Sequence, residues 1–213
     1  MGQITLVRHG QANSHAATEA DYDRLSDLGH RQAAWLGEWL RDHGQHFDHV
    51  VSGTMRRHRE TVAGLGLDAD EDPRLNEIDY YRLSDDLLRA TGEPLPSADS
   101  FAAHMPKVFA AWKAAEIAGA EPYHAFEDRV RALLADAARP GRQVLCVTSG
   151  GVIGMVIRHI LDLDILKMSH IMLPIWNTSL HRLHVRDEGT FLAGFNAIPH
   201  LDMPDRAHAR THI

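Results

Sequence analysis

Short apolar runs alternate with helical patterns along this chain, and the alternation limits the folds that are open to it. The run Ile4–Val7 is typical of a buried strand, and apolar residues follow at helical spacing at Ala33, Leu36 and Leu40. Strands that alternate with helices form βαβ units, in which helices cover both faces of a mainly parallel sheet. The sequence therefore predicts an α/β fold with three layers. The further predicted segments are strands at Asp48–Ser52, Val144–Thr148, Thr178–Val185 and Thr190–Phe195, and helices at Met55–Leu65, at Phe101–Ala115 and from Gly150 to Leu161.

The tripeptide Arg8-His9-Gly10 stands directly after the first predicted strand. In α/β sheets, ligands bind beyond the carboxyl ends of the strands. A neutral histidine nitrogen can attack phosphorus, and the planar fork of an arginine binds two phosphate oxygens. A glycine lets the backbone approach a ligand closely. The tripeptide therefore indicates phosphoryl transfer without a metal, although a triplet of this kind taken alone more often just ends a strand at the surface.

Composition and charge restrict the class of protein. With 213 residues, of which 44% are hydrophobic, the chain can bury one sizeable core, which predicts a single domain over residues 1–213. A net charge of −7 disfavours a general nucleic-acid-binding protein, since such proteins carry a basic face. Charged residues interrupt the apolar stretch Val152–Ile165, which disfavours a membrane span. Because there is no secretory leader and one cysteine, Cys146, we expect a cytoplasmic protein.

The regular pattern loosens between residues 79 and 122, where glycine and proline residues interrupt it. Insertions on such scaffolds carry substrate specificity, so we expect this segment to form a helical lid over the site. A plain packing excursion fits the same pattern equally well. The polar, histidine-bearing end of the chain, residues 200–213, is expected to be a loosely held tail.

Several segments together resemble the histidine phosphatase superfamily, also called phosphoglycerate mutase-like. Three of them are Leu6–Gln11, Leu25–Ala33 and Ser52–Thr61, which read LVRHGQ, LSDLGHRQA and SGTMRRHRET. Leu75-Asn76-Glu77 and Val144–Gly151 extend the similarity, so that it covers most of residues 1–197. Each segment alone is a weak signal, but together they are a strong one.

The resemblance implies a role for each residue of a phosphate site. In that family the histidine of the R-H-G motif is transiently phosphorylated, which assigns this role to His9, and Arg8 would clamp the phosphoryl oxygens. A second family arginine lies four residues before a threonine, which selects Arg57 before Thr61. Two arginines suit the charge that spreads over the oxygens of a transferring phosphoryl group. Arg56 and Arg59 are expected on a solvated helix face, and the further residues expected to bind phosphate are Gly10, Asn13, Ser149 and Gly150.

Glu77 is the expected general acid, because the family places its acid after a similar Leu-Asn pair. Partial burial beside a negative phosphate would favour the protonated carboxyl group that a proton donor needs. Asp79 lies two residues along and would point the same way in an extended segment, so it is the alternative. Either carboxylate could instead cap a nearby loop.

Ser149 marks a departure from the family pattern. The family usually has a second histidine before a glycine at this point, whereas Val147–Gly151 reads VTSGG. A serine hydroxyl and the backbone at a helix start can still bind phosphate. Either another histidine fills the place or the site has fewer donors. The histidines considered for the place are His15, His170 and His181.

No cofactor or metal is expected. The dinucleotide-binding fingerprint would require glycine at position 149, and the 16 histidines show no ligand spacing such as H-E-x-x-H. The predicted function is metal-independent hydrolysis of a phosphate monoester or related phosphoryl compound through a phosphohistidine. The expected partner is a small phosphorylated substrate or a phosphoprotein, and the sequence leaves the oligomeric state open.

Two other functions stay open. A phosphoglycerate mutase is less favoured, because the glycolytic mutases carry a G-W-x-D stretch soon after R-H-G and none lies between Gly10 and Gly29. The third hypothesis is a non-catalytic protein that binds a phosphorylated ligand, which the serine at position 149 motivates.

Overall fold

A computed structural model of the chain describes residues 1–13, 16, 18–97 and 99–212. Its strands are β1 Gly2–Arg8, β2 His49–Ser52, β3 Asp70–Glu71, β4 Gln143–Thr148, β5 Leu180–Arg186 and β6 Gly189–Ala197. Its helices are α1 Glu19–Tyr22, α2 Asp27–Asp42, α3 Arg56–Leu65, α4 Tyr80–Thr91, α5 Phe101–Lys113, α6 Tyr123–Ala137, α7 Gly150–Leu161 and α8 Ile165–Met172, with 3₁₀ turns at Pro73–Leu75, Pro199–Leu201 and Pro204–Ala209. This arrangement confirms the predicted α/β class.

The strands form a mixed six-stranded sheet in the order β3-β2-β4-β1-β5-β6. The pairs β3–β2, β2–β4 and β4–β1 are parallel, whereas β5 pairs antiparallel with both β1 and β6. In the central pair, Arg8 of β1 lies opposite Thr148 of β4. The two strands therefore end level with each other, and the segments that follow them meet at the edge where α/β sheets bind ligands.

Alternate residues of the central strands supply two separate cores. Val7 and Leu145 are buried with the apolar faces of α2 and α3, whereas Ile4 and Cys146 are buried in the larger core that α5, α6 and α7 share. Successive side chains of a strand point to opposite faces, so a strand covered on both faces is apolar throughout. This is why the runs at β1 and β4 are continuous, and it produces the three layers.

The segment predicted as a lid contains α4 and α5. Leu83 and Leu87 of α4 and Phe109 and Trp112 of α5 are buried in the larger core. α5 begins at Phe101, as the sequence predicted, and contacts α8. The segment is therefore anchored in the main core and also borders the site described below.

The apolar helix α7 packs inside the molecule. Val152, Ile153 and Met155 are each fully buried. The helix is 12 residues long, and none of the helices in the described ranges is long and apolar enough to cross a membrane.

The end of the chain is packed against the rest of the protein, which corrects the expectation of a loosely held tail. His200, Leu201 and Ala209 are buried. The side-chain amide of Gln32, on α2, donates to the carbonyl oxygen of Ala209 at 2.7 Å and to the hydroxyl of Thr211 at 2.9 Å. A polar sequence suggested solvent, but here a buried glutamine supplies the hydrogen bonds that the segment needs.

Candidate active site

A cavity of about 570 Å³ opens where β1 and β4 end. Arg8 and His9 line it from the end of β1, and Gly150 and Gly151 line it from the start of α7. Its volume lies in the range typical of sites for small molecules. The sheet register therefore brings the R-H-G motif and the VTSGG segment to one cavity.

His9 is held in one orientation with one nitrogen committed. Its Nδ1 lies 2.7 Å from the carbonyl oxygen of Gly10. A carbonyl only accepts, so Nδ1 carries the proton and the lone pair stays on Nε2. Burial, followed by the charges of Arg57 and Arg8, holds the pKa of His9 well below its usual value. The imidazole is therefore neutral at physiological pH, which is the form that can act as a nucleophile.

One nitrogen of the Arg8 guanidinium is hydrogen-bonded within the protein, and another has no partner among the described residues. Nη1 donates to the carbonyl oxygens of Ile175 and His212, the second at 2.6 Å. Nε is buried, has no hydrogen-bond partner among the described residues, and lies beside Gly150. Because a buried N–H without a partner is costly, this donor is suited to an anionic ligand.

Arg57 points from α3 into the same cavity. Its side chain is fully buried, and its guanidinium Cζ lies 5.0 Å from the ring centre of Tyr22. Asp23 accepts hydrogen bonds from Nη1 at 3.2 Å and from the backbone N–H of Arg57 at 3.1 Å. One carboxylate therefore fixes both the start of α3 and the direction of this arginine.

The neighbouring arginines of α3 face solvent. Arg56 is 64% exposed and pairs with Glu60, while Arg59 is 54% exposed and pairs with Glu71. Of the three arginines, Arg57 alone lines the cavity. The arginine that the family resemblance selected, four residues before Thr61, is thus the one that the fold turns inward.

Glu77 lines the cavity from the segment between the first 3₁₀ turn and α4. Its Oε1 accepts the N–H of Ile78 at 3.0 Å, and its Oε2 accepts the N–H of Gly151 at 2.8 Å. A Cβ atom on residue 151 would overlap Oε1, so glycine is what allows the carboxyl group this close to α7. Each oxygen keeps a second lone pair, which can carry a proton.

Asp79 has a different place. Its carboxylate caps α4 by accepting the N–H of Arg82 at 2.9 Å, and it is not among the cavity residues. Of the two candidate acids, Glu77 is therefore the one that the fold presents to the cavity.

Ser149, which was expected to bind phosphate, directly precedes Gly150 and is not itself among the cavity residues, and it contacts a histidine that the sequence analysis did not single out. Its Oγ lies 2.7 Å from Nε2 of His58, and both side chains are fully buried. The His58 ring centre lies 5.7 Å from that of His9. Burial and the charge of Arg57 hold the pKa of His58 well below its usual value, so this ring is also neutral. The signal in the sequence that could have identified His58 was its position directly after Arg57.

The histidines proposed from the sequence lie elsewhere. His170 is exposed on α8. His181 is buried, but its Nε2 bonds the hydroxyl of Ser179 at 2.9 Å and it does not line the cavity. His15 lies outside the described residues. The structure thus gives the place beside Ser149 to His58.

Two residues expected to bind phosphate are engaged with other groups. The N–H of Gly10 donates to the hydroxyl of Thr61 at 3.1 Å, and its Cα packs directly against Gly29. Glycine at position 10 therefore lets the backbone of β1's end lie against α2, and this close approach does not involve a ligand. Asn13 donates to the carbonyl oxygen of Asp21 at 3.1 Å and is not among the cavity residues.

The cavity wall that residues 78–109 form is largely apolar. Apart from Ile78, its residues belong to the segment predicted as a lid, and a single carboxylate, Asp85, lies among mostly uncharged side chains. These uncharged residues are Ile78, Tyr80, Tyr81, Ser84, Leu95, Pro96, Ser97, Phe101, Met105 and Phe109. No group of three or more potential metal-ligating side chains occurs in the part of the chain that the structure describes.

This fold and site define an α/β protein that presents a neutral histidine and two arginines where its central strands end. The sequence pattern of the histidine phosphatase superfamily (branch 1) matches residues 4–198, and the chain belongs to that superfamily. The resemblance found in the sequence is confirmed.

Individual relatives include phosphatases and mutases. A 95-residue segment is 34% identical to "Serine/threonine-protein phosphatase Pgam5, mitochondrial" of Drosophila willistoni, covering 44% of this chain and 29% of that protein. An alignment over 106 residues is 35% identical to the 2,3-bisphosphoglycerate-dependent phosphoglycerate mutase of Chelativorans sp. (strain BNC1), covering 43% of this chain and 52% of that protein. The matches thus span about half or less of these curated relatives.

The fold also has close counterparts among solved structures. A phosphoserine phosphatase of Entamoeba histolytica, in complex with phosphoserine, aligns with a TM-score of 0.69 over 94% of this chain and 100% of that chain. The two sequences are 17% identical, so this likeness concerns the fold.

Proposed function

We propose that this protein is a metal-independent phosphatase that hydrolyses phosphate monoesters through a phosphohistidine at His9. The observation that carries the proposal is the neutral His9 imidazole, with Nδ1 committed to Gly10, beside the guanidinium groups of Arg8 and Arg57. A nucleophile with two preplaced cations supplies the main requirements of phosphoryl transfer.

The first half of the proposed reaction transfers the phosphoryl group to the protein. Nε2 of His9 attacks phosphorus, and the bond between phosphorus and the ester oxygen breaks. The carboxyl group of Glu77 gives its proton to the departing oxygen, which leaves as an alcohol. Arg8 and Arg57 stabilise the charge on the three oxygens of the transferring group.

The second half returns the site to its starting state. Water attacks the phosphorus of phosphohistidine while the Glu77 carboxylate takes a proton from it. The bond between phosphorus and Nε2 breaks, and inorganic phosphate leaves. His9 is then neutral and Glu77 is protonated again, so no metal-bound water is required.

The cavity wall favours hydrolysis over phosphoglycerate mutase activity. A phosphoglycerate carries a carboxylate in addition to its phosphate, and such a group needs a cationic partner of its own. The lid residues at the cavity are aromatic, aliphatic or hydroxylic, with Asp85 as their charged member. We therefore propose a small monoester whose organic part is uncharged and largely apolar.

The deciding experiment measures hydrolysis of an aryl phosphate by the wild type and by His9→Ala. We expect turnover that survives EDTA and is lost in the variant, and radiolabelled phosphate that stays on the wild-type protein after denaturation at alkaline pH, where phosphohistidine is stable. His170→Ala, an exposed histidine outside the cavity, is the control and should behave as wild type. Turnover by His9→Ala would overturn the mechanism, and phosphate binding without turnover would make the protein a binder of phosphorylated ligands.

A parallel assay distinguishes the mutase. It supplies 3-phosphoglycerate with and without 2,3-bisphosphoglycerate and follows 2-phosphoglycerate. We expect no isomerisation, whereas turnover that depends on the bisphosphate would replace the phosphatase proposal by the mutase.

We also propose that the chain acts as one domain in the cytoplasm without a nucleic-acid partner. The continuous sheet supports one domain, and the buried thiol of Cys146 suits a reducing compartment. The net charge of −7 supports the absence of a nucleic-acid partner.

A further inference from the structure

We propose that His58 and Ser149 together replace the second imidazole that the family pattern places at position 149. In this arrangement Nε2–H of His58 donates to Oγ of Ser149, and the serine hydroxyl donates its own proton to an oxygen of the phosphoryl group. Ser149 is then the donor to substrate, and His58 is a positioning residue that acts through it. The inference rests on the proposed phosphoryl transfer at His9.

The first support is the contact itself. The two residues are separated by 91 positions in the sequence, yet their side chains meet at 2.7 Å with both fully buried. The parallel register of β1 and β4 puts Ser149 next to the segment that carries His9, and the His58 ring lies 5.7 Å from the His9 ring. The pair is therefore next to the proposed nucleophile.

The second support is what Ser149 does not do. It occupies the N-cap position of α7 with an extended backbone, where a serine hydroxyl usually accepts a backbone N–H of the first turn. Here its side chain makes no capping hydrogen bond and bonds His58. The local sequence would favour capping, so the serine is committed to another task.

The third support is the space made for the ring. Gly53 follows β2, and a Cβ atom there would overlap Nδ1 of His58 and lie 2.8 Å from the side-chain oxygen of Asn76. The absence of a side chain at residue 53 is therefore what admits an imidazole on this face of α3. The buried His58 ring therefore fits only because residue 53 is a glycine.

The direction of the hydrogen bond follows from the other ring nitrogen. Nδ1 of His58 is buried and has no hydrogen-bond partner among the described residues. A neutral ring carries one proton, and a buried N–H without a partner is rarer than an acceptor left unsatisfied. The proton therefore belongs on Nε2, which donates to Ser149. The serine hydroxyl then keeps its own proton to donate, and Ser149 directly precedes Gly150, which lines the cavity.

The test measures binding of orthovanadate, an analogue of the transferring phosphoryl group, by calorimetry. We expect Ser149→Ala and His58→Leu each to weaken vanadate binding by about 100-fold, the size typical of losing one donor to a transition-state oxygen. Because the two act as one unit, the double variant should bind no more weakly than either single variant. His58→Gln keeps a donor near the Nε2 position and should recover most of the loss.

His181→Leu is the matched control, because it breaks another buried contact between an imidazole and a serine, at 2.9 Å, outside the cavity. It should reduce thermal stability and leave vanadate affinity unchanged. Equal losses in His181→Leu and His58→Leu, or additive losses in the double variant, would overturn the inference. Vanadate binding does not require turnover, so an inactive wild type would overturn the phosphatase proposal while these measurements still decide the role of the pair.

Discussion

The backbone carbonyl of His212 accepts a hydrogen bond of 2.6 Å from Nη1 of Arg8. The end of the chain thus holds a side chain that the start of the chain brings to the cavity. Thr211 adds to this anchor, because its carbonyl accepts the backbone N–H of Asn177 at 2.7 Å. The contact gives the C-terminal segment a functional role that its polar sequence did not suggest.

Ending the chain after Arg210 should therefore lower phosphatase activity. A hydrogen bond to a charged group contributes about 1.5–3 kcal/mol, so losing this anchor of Arg8 should reduce kcat/KM by about 10- to 100-fold. Asp202→Ala, an exposed change in the same segment, is the control and should have no comparable effect. Full activity of the shortened, folded protein would show that Arg8 does not depend on this contact.

Arg57→Ala should damage catalysis far more than Arg56→Ala. Removing a buried cation from the transferring phosphoryl group should raise the activation free energy by about 2–4 kcal/mol, seen as a loss of kcat. Arg56 lies on the exposed face with Glu60 as its partner, so its loss should change the rate little. Arg57→Lys should recover only part of the rate, because a lysine keeps the charge and loses the fork. Equal effects at positions 56 and 57 would contradict this assignment.

Glu77→Gln should make the rate depend strongly on the leaving group. An alkoxide needs a proton to depart, whereas an acidic phenol does not. The variant should therefore slow alkyl phosphates much more than nitrophenyl phosphate, measured as kcat over a series of esters. Asp79→Asn, which alters only the cap of α4, should slow both classes equally if it slows either. A uniform loss in Glu77→Gln would make Glu77 a binding residue.

The free energy of unfolding should fall as the pH drops below about 6.5. Burial lowers the pKa of His181 and of His200 to about 3, and it holds the pKa values of His9 and His58 well below the usual value. Below pH 6.5 the unfolded chain binds protons that these native rings exclude, so protonation favours unfolding. Each such histidine contributes a slope of up to about 1.4 kcal/mol per pH unit.

Urea unfolding at several pH values between 7 and 5 measures this slope. His200→Gln should reduce this slope by the contribution of about one bound proton. His170→Gln, at an exposed site, should leave the slope unchanged. A stability that stays constant from pH 7 to 5 would show that these rings titrate normally.

Much of the fold followed from local patterns, because buried central strands must be apolar on both faces. The runs at β1 and β4 therefore predicted strands, and the structure places both in the centre of the sheet. α6 was not predicted, although Phe126, Val130, Leu133 and Leu134 of this helix are buried at helical spacing. The spacing of these apolar residues could have predicted α6 from the sequence. The position of the C-terminal segment could not be predicted in this way, because it depends on hydrogen bonds from Gln32, which lies far away in the chain.

The site divides in the same way. Arg8 and His9 lie in one short motif, and the family resemblance selected Arg57 by its spacing to Thr61, so local sequence together with the family pattern was enough to select them. The contact between His58 and Ser149 joins α3 to the start of α7 across the sheet. Neither residue has a pattern that names the other, and only the register of the strands brings them together.

This contact decides what a histidine at position 149 would do. The family pattern alone would predict that Ser149→His raises turnover, provided that the pocket has room. The structure shows a fully buried serine whose Oγ is already 2.7 Å from an imidazole, so the larger ring would collide with His58. Overpacking of a buried site typically costs about 1–3 kcal/mol of stability. We therefore expect Ser149→His to have a lower melting temperature and lower kcat than wild type. The double variant His58→Ala/Ser149→His removes the collision and should recover activity relative to Ser149→His alone. Higher turnover in the single variant would show that the site lacks an imidazole that His58 does not supply.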